Sequence, residues 1–412
     1  MAEYSVLEYG ADPSGKILST AAIQSAIEDC AAHGGGRVLI PAGVFVSGTI
    51  WMRSHVELHL AHGARLQAST QLEDYNQEDA FPQNQSCPEE EWNGKHLFIA
   101  YQCEDIAITG TGVIDGSGPF FFAPPVKIWE YAWWEGLALA KDKENLRPGQ
   151  MLVMVECTRV RVTDVTLQNS TCWCCCFLGC SYVQVRGIQV FNPRSAANTD
   201  GIDIDACQFV TVSDCLIDTG DDCIAIRGNG DQVQKGSPIC EHIAISNCVL
   251  SSGSSVFRLG VGTHPIRHVQ ISNIVMKTGH IGMNLMGSWS AGRYTPMEDI
   301  RFCNISASEL SAPLCIHAME QAPMRGITIQ NYWAMGCAQS SIISDQPGCL
   351  SEVLLRDVTF IMQDKPVQLT EQLRQERGEH FLWLHNGEGV TQENVHIDSS
   401  RVNPALWSCL SE

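Results

Sequence analysis

Three aspartates, Asp200, Asp221 and Asp222, stand at the starts of two short apolar runs, TDGIDI and DDCIAI. Aligning these runs on their alternating isoleucines places Asp200 over Asp222, with Asp221 beside them. Neighbouring strands in a parallel stack lie about 4.8 Å apart, so the three carboxylates would share one small volume. Like charges at that range raise at least one pKa and cost stability, which favours a chemical role over a purely structural one.

Clustered carboxyl groups suit the cleavage of a glycosidic bond. One protonated carboxyl donates to the leaving oxygen while a separate carboxylate activates water. Two other interpretations are open. The aspartates could belong to a ladder of Asn and Asp turns, the interpretation that we favour for Asp214 and Asp218. They could also bind a hard cation; because no loop with further ligands at regular spacing follows them, we expect no metal and no other cofactor.

A repeat must position these residues. From Cys157 onward one pattern recurs, a polar turn followed by alternating residues rich in Val and Ile, and an earlier copy begins at Cys103. Each copy is too small to form its own core, so the copies must stack and bury a shared interior. The first β residues of eight copies, 23 to 33 residues apart, are Val160, Val183, Val210, Ile243, Val269, Ile300, Ile327 and Val353. The pattern predicts an all-β parallel β-helix, because a β-propeller blade would need four strands in about 40 residues.

We expect one β-helix domain over residues 1–412. Two stretches break the repeat and are predicted as insertions, a loop at about 119–150 and a polar segment at about 363–380.

An N-terminal cap is predicted within about residues 1–50. The segment STAAIQSAIEDCAAHGGG has Ser19 or Thr20 as a helix N-cap and Gly34 as a stop. Its apolar face would consist of Ile23, Ile27 and Cys30. This helix would cover the exposed edge of the first strands.

The amino-acid composition limits which binding partners and which cellular compartment we expect for this protein. The net charge of −20 disfavours nucleic acid and anionic membrane surfaces as partners. No apolar run reaches the length of a membrane span, and the start MAEYSVLEYGADPSG lacks the features of a signal peptide. The 19 cysteines are odd in number and crowded around Cys172 and residues 174–176. We read them as thiols in a reducing cytoplasm; a zinc site or a secreted disulfide framework is a weaker interpretation.

At the aspartates the chain resembles a known family. NTDG at 198–201 followed by GDD at 220–222 resembles the paired signature of glycoside hydrolase family 28, the polygalacturonase group. The resemblance runs from EYGADPSG through VIDGSG and RPGQMLVMVE to about Ser306. It implies a single-stranded, right-handed parallel β-helix of the pectin-lyase type and hydrolysis with inversion. By position, Asp221 resembles the general acid, Asp200 and Asp222 resemble the pair that activates water, and Asn198 resembles a site-shaping residue.

The departures from the family concern the cationic residues. Members that act on galacturonate carry Gly-His-Gly on the next coil and Arg-Ile-Lys on the coil after it. Here Ser254 or Ser255 stands for the histidine, depending on register, Asn284 for the arginine and Met286 for the lysine. Asn and Met cannot neutralise a sugar carboxylate. The sugar at the cleavage site is therefore expected to be neutral, such as rhamnose.

Two more residues complete the candidate substrate-binding set. Arg258 either restores a cation near the cleft or pairs with a surface acid. Trp289 either offers a ring to a sugar face or simply packs, and the same alternatives hold for Trp129, Trp133 and Trp134 in the first insertion.

We therefore predict an inverting hydrolase of an α-linked, pectin-type oligosaccharide, with exo action if the substrate is imported into the cytoplasm. Two alternatives stay open. One is another enzyme on the same scaffold, above all an exo-galacturonidase or polygalacturonase. The other is a non-catalytic carbohydrate-binding β-helix.

Overall fold

Successive coils of the chain stack on one another in the structure, a computed structural model that describes residues 2–77, 94–122, 147–336, 340–363 and 381–400. Strands of one coil pair in parallel with strands of the coils before and after it. Val160 pairs with Val183, and Val183 pairs with Val210, as the repeat alignment requires. The prediction of a parallel β-helix is confirmed, and right-handed coiling is the rule for parallel β connections.

Within the described residues the chain forms 31 strands and two helices. The helices are α1 (Thr20–Ala32) and α2 (Gly118–Phe121), with 3-10 turns at Val6–Tyr9 and Leu72–Asp74. The first strands are β1 (Glu3–Ser5), β2 (Ser14–Leu18), β3 (Gly36–Ile40), β4 (Gly43–Ser47), β5 (Ile50–Trp51), β6 (Val56–Leu60), β7 (Ala64–Ala68), β8 (Phe98–Tyr101), β9 (Glu104–Gly110), β10 (Val113–Asp115), β11 (Leu152–Val155), β12 (Thr158–Thr163), β13 (Thr166–Gln168), β14 (Cys175–Leu178), β15 (Ser181–Arg186) and β16 (Gln189–Phe191). The remaining strands are β17 (Ile202–Asp205), β18 (Gln208–Ser213), β19 (Leu216–Thr219), β20 (Ile224–Gly228), β21 (Cys240–Ser246), β22 (Val249–Ser252), β23 (Ser255–Gly262), β24 (Ile266–Met286), β25 (Met297–Ala318), β26 (Met324–Gly336), β27 (Ser340–Ser344), β28 (Leu350–Ser351), β29 (Val353–Met362), β30 (Leu382–His385) and β31 (Val390–Asp398).

One face of the solenoid carries the aspartates, and we call it the site sheet. It consists of β5, β8, β11, β14, β17, β20 and β23, followed by the ends of β24 and β25 and by β27 and β30. The long strand β24 pairs in turn with β21, β22 and β23, so it bends around the solenoid.

The core fixes the register of the site sheet. Ile202 pairs with Ile224 and Ile204 with Ile226, and all four side chains are buried inside the solenoid. Burying one such side chain contributes about 1.5–3 kcal/mol. A slip of one residue would turn every isoleucine outward. The burial of these isoleucines therefore also holds Asp200 over Asp222.

Helix α1 closes the N-terminal end. It begins at Thr20 after Ser19, and Ile23, Ile27 and Cys30 are buried, as the sequence predicts. It packs against β1, β3, β5 and β6. The Ser19 hydroxyl does not cap the helix; it accepts a hydrogen bond from the Asp12 amide at 3.0 Å.

A ladder of asparagines follows one turn of the solenoid. Nδ2 of each residue donates to Oδ1 of the preceding one, over 3.3, 3.1 and 2.9 Å, in the series Asn247, Asn273, Asn304 and Asn331. All four have φ between 51° and 56°, in the left-handed region that Asn tolerates better than most residues. Asp214 precedes this ladder and accepts from Asn247 at 3.3 Å, so the turn interpretation holds for it. Asp218 instead lies within β19.

A cysteine column runs through the interior. Its members occupy one position in five successive coils: Cys103, Cys157, Cys180, Cys207 and Cys240. The amide of Cys180 donates to the Sγ atom of Cys207 at 3.3 Å, and burial raises the pKa of the Cys180 thiol well above its ordinary value. All 16 cysteines in the described ranges are free thiols.

The predicted insertions at 119–150 and 363–380 lie largely outside the described residues, as do Trp129, Trp133 and Trp134. Their boundaries, and the single domain over residues 1–412, stay predictions. In the described ranges, no helix combines the length and the apolar character that crossing a bilayer would require.

Candidate active site

The three aspartates meet where two coils of the site sheet begin. Asp200 lies two residues before β17, and Asp221 and Asp222 immediately precede Cys223 and β20. The amide of Gly201 donates to the Asp222 carbonyl at 2.9 Å, which ties the two turns together. One oxygen from each carboxyl group lies within 4.8 Å of the others. A Cβ at Gly220 would collide with the Ala196 carbonyl oxygen, so the turn before Asp221 requires glycine.

Asp221 is half-buried and sits among polar groups. Its Oδ2 atom accepts from the Asn198 amide at 3.1 Å, and the Ser254 side chain also donates to its carboxyl group. Burial and the neighbouring Asp222 raise the Asp221 pKa from 3.8 to about 6, although Arg258 and these hydrogen bonds oppose the shift. A carboxyl group with this pKa carries a proton in mildly acidic solution and can donate it.

Asp200 is buried deeper than Asp221. Its pKa lies well above the ordinary value, because burial and the charges of Asp203, Asp221 and Asp222 disfavour the carboxylate. Arg227 opposes this shift with a nitrogen 3.7 Å from Oδ2. Within the described part of the chain Oδ1 of Asp200 is buried without a hydrogen-bond partner. A protonated Asp200 could use its carboxyl group to bind water or a sugar hydroxyl.

Of the three aspartates, Asp222 forms the closest ion pair in the described part of the chain. Nε of Arg258 lies 2.5 Å from Oδ2, and the Ser255 amide donates to Oδ1 at 3.0 Å. The guanidinium group stacks 4.6 Å from the centre of the Trp289 ring, and its Nη1 lies 3.7 Å from Met286 Sδ. Arg258 therefore lies beside the aspartates and pairs with an acid of the site itself rather than with a surface acid. Trp289 packs on Arg258 with 48% of its surface exposed, so part of its ring still faces solvent.

The remaining predicted residues surround these carboxyl groups. The strand register places Ser254 over Asp221 and Ser255 over Asp222. Nδ2 of Asn284 donates to the Ser255 hydroxyl at 3.2 Å, so Asn284 supports the coil below it. All ten residues predicted for the site are thus brought together; their roles stay predictions.

Several residues of this site escaped the sequence analysis. Arg227 donates to the buried Asp203 at 3.0 Å and stacks 3.9 Å from the Trp173 ring centre. Arg147 donates to Oδ1 of Asn198 at 2.8 Å. Asp203 and Arg227 alternate outward among buried strand residues, and this pattern was the available signal. Arg147 lies 51 positions before its partner, so no local pattern indicates the contact.

A cation could in principle bind between the three carboxylates. Calcium takes about 6–8 oxygen ligands, whereas this cluster supplies one oxygen from each of three residues. Arg258 and Arg227 already place positive charge beside Asp222 and Asp200. The arrangement suits proton transfer better than metal binding, and the absence of a cofactor stays a prediction.

Comparison with known proteins agrees with the geometry. A model of glycosyl hydrolases family 28 matches residues 30–331. A polygalacturonase from Juniperus ashei is 31% identical over 337 residues, covering 78% of this chain and 59% of the relative. A probable polygalacturonase from Vitis vinifera is 26% identical over 299 residues, covering 70% and 58%.

Among solved structures, the family 28 exopolygalacturonase of Yersinia enterocolitica aligns with a TM-score of 0.66 at 20% identity, over 95% of this chain and 78% of that one. This similarity supports the fold. The chain spans 52–58% of the length of the first curated relatives that it matches. Because the family model covers well over half of its residues, the chain belongs to glycosyl hydrolases family 28.

Proposed function

We propose that this protein hydrolyses an α-glycosidic bond in an oligosaccharide. The observation that carries the proposal is the trio of carboxyl groups within 4.8 Å of one another, each in a different environment. In glycosidases, different environments shift the pKa values of neighbouring carboxyl groups apart. One group can then act as the acid and the other as the base.

Asp221 is the proposed general acid. It gives its proton to the glycosidic oxygen as the bond to the anomeric carbon breaks. Asp222, paired with Arg258, accepts a proton from the water whose oxygen forms the new bond. Asp200, kept protonated by burial, donates a hydrogen bond that orients this water. The sequence resemblance assigned Asp200 and Asp222 equal roles in activating water, and this proposal divides them.

Inversion is part of the proposal and rests on the family resemblance alone. Carboxyl groups of inverting enzymes are usually about 6.5–9.5 Å apart, and those of retaining enzymes about 5–5.5 Å. The 4.8 Å that encloses the three aspartates here is a distance between one oxygen of each, which is a different measure from these separations of carboxyl groups. The anomeric form of the first product, followed by NMR, distinguishes the two outcomes.

The sugar at the cleavage site is proposed to be neutral, with rhamnose as the leading candidate. Asn284 and Met286 stand where the family has cations for a carboxylate. Arg258 uses its Nε for Asp222 and one face for Trp289. The Met286 thioether offers an apolar surface, which suits the methyl group of a deoxy sugar.

A second candidate is hydrolysis of galacturonides. The names of the Juniperus and Vitis relatives favour it. Their activity would apply to this protein only if Arg258 released Asp222 to bind the substrate, or if other residues supplied the charge.

A panel of neutral and acidic α-linked oligosaccharides tests the proposal. We expect release of a neutral sugar, loss of turnover in Asp221→Asn with binding kept, and normal turnover in the control Asp214→Asn, whose aspartate belongs to the turn ladder. Cleavage of galacturonides alone supports the second candidate. No turnover of any glycan by the parent, with binding kept, points to a carbohydrate-binding protein and overturns the proposal.

We further propose a reducing, cytoplasmic location. The free thiols of the described cysteines support it. Fractionation of the source cells tests it, and recovery outside the cytoplasm would contradict it.

A further inference from the structure

Arg147 holds the turn that leads to Asp200, although it belongs to an earlier coil. It lies shortly before β11, whereas Asn198 lies shortly before β17. Because β11 pairs with β14 and β14 with β17, the Arg147 side chain reaches over the intervening coil. Its Nη1 atom donates to the Ala197 carbonyl at 3.0 Å, and Nη2 donates to Oδ1 of Asn198 at 2.8 Å. The planar guanidinium group therefore holds two consecutive residues of the turn.

The Arg147 guanidinium group is itself confined. The residue is 7% exposed, and its guanidinium carbon lies 5.3 Å from the centre of the Phe122 ring. Phe122 is also buried and packs on Ala196, the residue before Ala197. Because an aromatic face attracts a guanidinium group, the ring favours the orientation in which Arg147 contacts the turn.

One peptide group connects Arg147 with the proposed acid. The Ala197 carbonyl and the Asn198 amide belong to the same trans peptide group, so they point in opposite directions. The carbonyl accepts from Arg147, and the amide donates to Oδ2 of Asp221 at 3.1 Å. Hydrogen bonds in such a chain polarise one another, so the bond to the carbonyl strengthens the amide as a donor. Asn198 has a φ of 55°, a left-handed conformation that asparagine tolerates, and its side chain supplies the second contact with Arg147.

The charged groups that face Asp221 come from three coils. They are Asp222 in the same turn, Asp200 in the coil before and Arg258 in the coil after. Burial and Asp222 raise the pKa of Asp221 to about 6, and the hydrogen bond from the Asn198 amide is among the contacts that oppose this rise. A weaker amide bond would therefore raise the pKa further, and a weaker acid protonates a leaving oxygen more slowly.

We propose that Arg147 is a positioning residue for Asp221. Through the peptide group between Ala197 and Asn198, it sets the direction and the strength of the hydrogen bond that the Asp221 carboxyl group accepts. The proposal rests on the proposed hydrolase function and adds a residue that acts on the acid from two coils away.

Carbon-13 signals of the aspartate carboxyl groups, followed against pH, test this role without any substrate. The Asp221 signal is the one that Asp221→Asn lacks. We expect the Asp221 pKa to rise by about half a pH unit to one pH unit in Arg147→Met, since this variant loses both hydrogen bonds to the turn. Arg147→Lys keeps the charge but loses the planar fork, so it should show a smaller rise. A pKa in Arg147→Lys equal to that of the parent would assign the effect to charge alone and overturn the positioning role.

Rates on an oligosaccharide that the parent cleaves give the second measurement. We expect kcat to fall about 10–100-fold in Arg147→Met with little change in KM, and the alkaline limit of kcat/KM to move up with the Asp221 pKa. A lower Tm with an unchanged Asp221 pKa would make Arg147 a structural brace of the turn and contradict the proposal. A parent that cleaves no oligosaccharide would contradict the hydrolase function alone, because the titration still measures the effect of Arg147.

Arg65→Met is the matched control. Arg65 on β7 pairs with the buried Asp115 on β10, so this variant also loses an arginine that partners a buried group, and it should be less stable. Its Asp221 pKa and its alkaline limit should equal those of the parent. A rise as large as that in Arg147→Met would show that a loss of stability alone moves the Asp221 pKa, and the proposal would fail.

Discussion

Arg258 and Asp222 form an ion pair of 2.5 Å across two coils, and the Trp289 ring covers the guanidinium group. The two side chains are 11% and 3% exposed, so little water screens the pair. A cation that is held in this way orients a carboxylate and is poorly placed to recognise one on a substrate. Arg258 therefore orients Asp222. It does not replace the arginine and lysine, here Asn284 and Met286, that would recognise a carboxylate on the substrate.

Replacing Arg258 with Met is expected to lower kcat about 10²–10³-fold, because it leaves Asp222 without its positive partner in a buried site. The alkaline limit of activity should also move to higher pH, since Arg258 holds the Asp221 pKa down. The conservative Arg258→Lys keeps the charge but loses the planar fork and the stacking, so it should recover activity only in part. Unchanged kcat in Arg258→Met would contradict the assignment of Asp222 as the base.

The pH profile of the parent should fall on its alkaline side above about pH 6. Asp221 has a pKa of about 6 and must be protonated to act as the acid. Above this value kcat/KM should decrease about tenfold per pH unit, because kcat/KM reports the free enzyme. Initial rates at low substrate concentration between pH 4 and pH 8 provide the measurement. A profile that stays flat to pH 8 is incompatible with Asp221 as the acid.

Asp221→Asn should stabilise the fold at neutral pH. The folded-state pKa of Asp221 is raised from 3.8 to about 6, so the folded protein holds this proton more tightly than the unfolded chain. The resulting contribution to stability is present below about pH 4 and is lost as pH rises through 6. We expect a Tm increase of roughly 1–4 °C at pH 7 and little change at pH 4. A decrease at pH 7 would mean that the hydrogen bonds from Asn198 and Ser254 outweigh the charge repulsion.

A matched pair of substrates tests the preference for a neutral sugar. An α-linked galactoside and the corresponding galacturonide differ only in a hydroxymethyl group and a carboxylate. We expect kcat/KM to be at least about 10-fold higher for the galactoside, because Arg258 and Arg227, the described cations beside the three aspartates, already pair with Asp222 and Asp203. The reverse preference would show that Asn284 and Met286 do not decide specificity.

The asparagine ladder should matter for stability and not for activity. Asn304 donates to Asn273 and accepts from Asn331, at φ 55°. Asn304→Ala loses both hydrogen bonds and keeps a Cβ in a left-handed conformation that alanine tolerates less well than asparagine, so the free energy of unfolding should fall by roughly 1–3 kcal/mol. Asn304→Gly loses the same bonds without the steric cost and should be less destabilised. Equal losses in a denaturant titration would assign the whole effect to the hydrogen bonds.

The fold and the meeting of the aspartates were predictable because they depend on local alternation. Each coil repeats one pattern of inward Val and Ile, and a period of two leaves a single register that keeps them buried. This register carried Asp200 over Asp222 without further information, whereas the sequence left open whether Ser254 or Ser255 follows on the next coil.

The contacts of long side chains were not predictable in the same way. Arg258 and Arg227 alternate outward, as the pattern indicates, but the acids that they contact depend on the side chains packed around them. Trp289, in a turn, packs on Arg258, and Trp173, on the preceding coil, packs on Arg227. Helix α1 showed the reverse: its position followed from the pattern, while the Ser19 hydroxyl found a partner outside the helix.

Alkylation of the thiols in the cysteine column can show where the solenoid opens. Each thiol belongs to a different coil, is buried and has a raised pKa, so a neutral alkylating reagent can modify it only after that coil separates from its neighbours. The order in which these thiols become modified in mild denaturant would trace whether the solenoid frays from its ends or breaks near the aspartates.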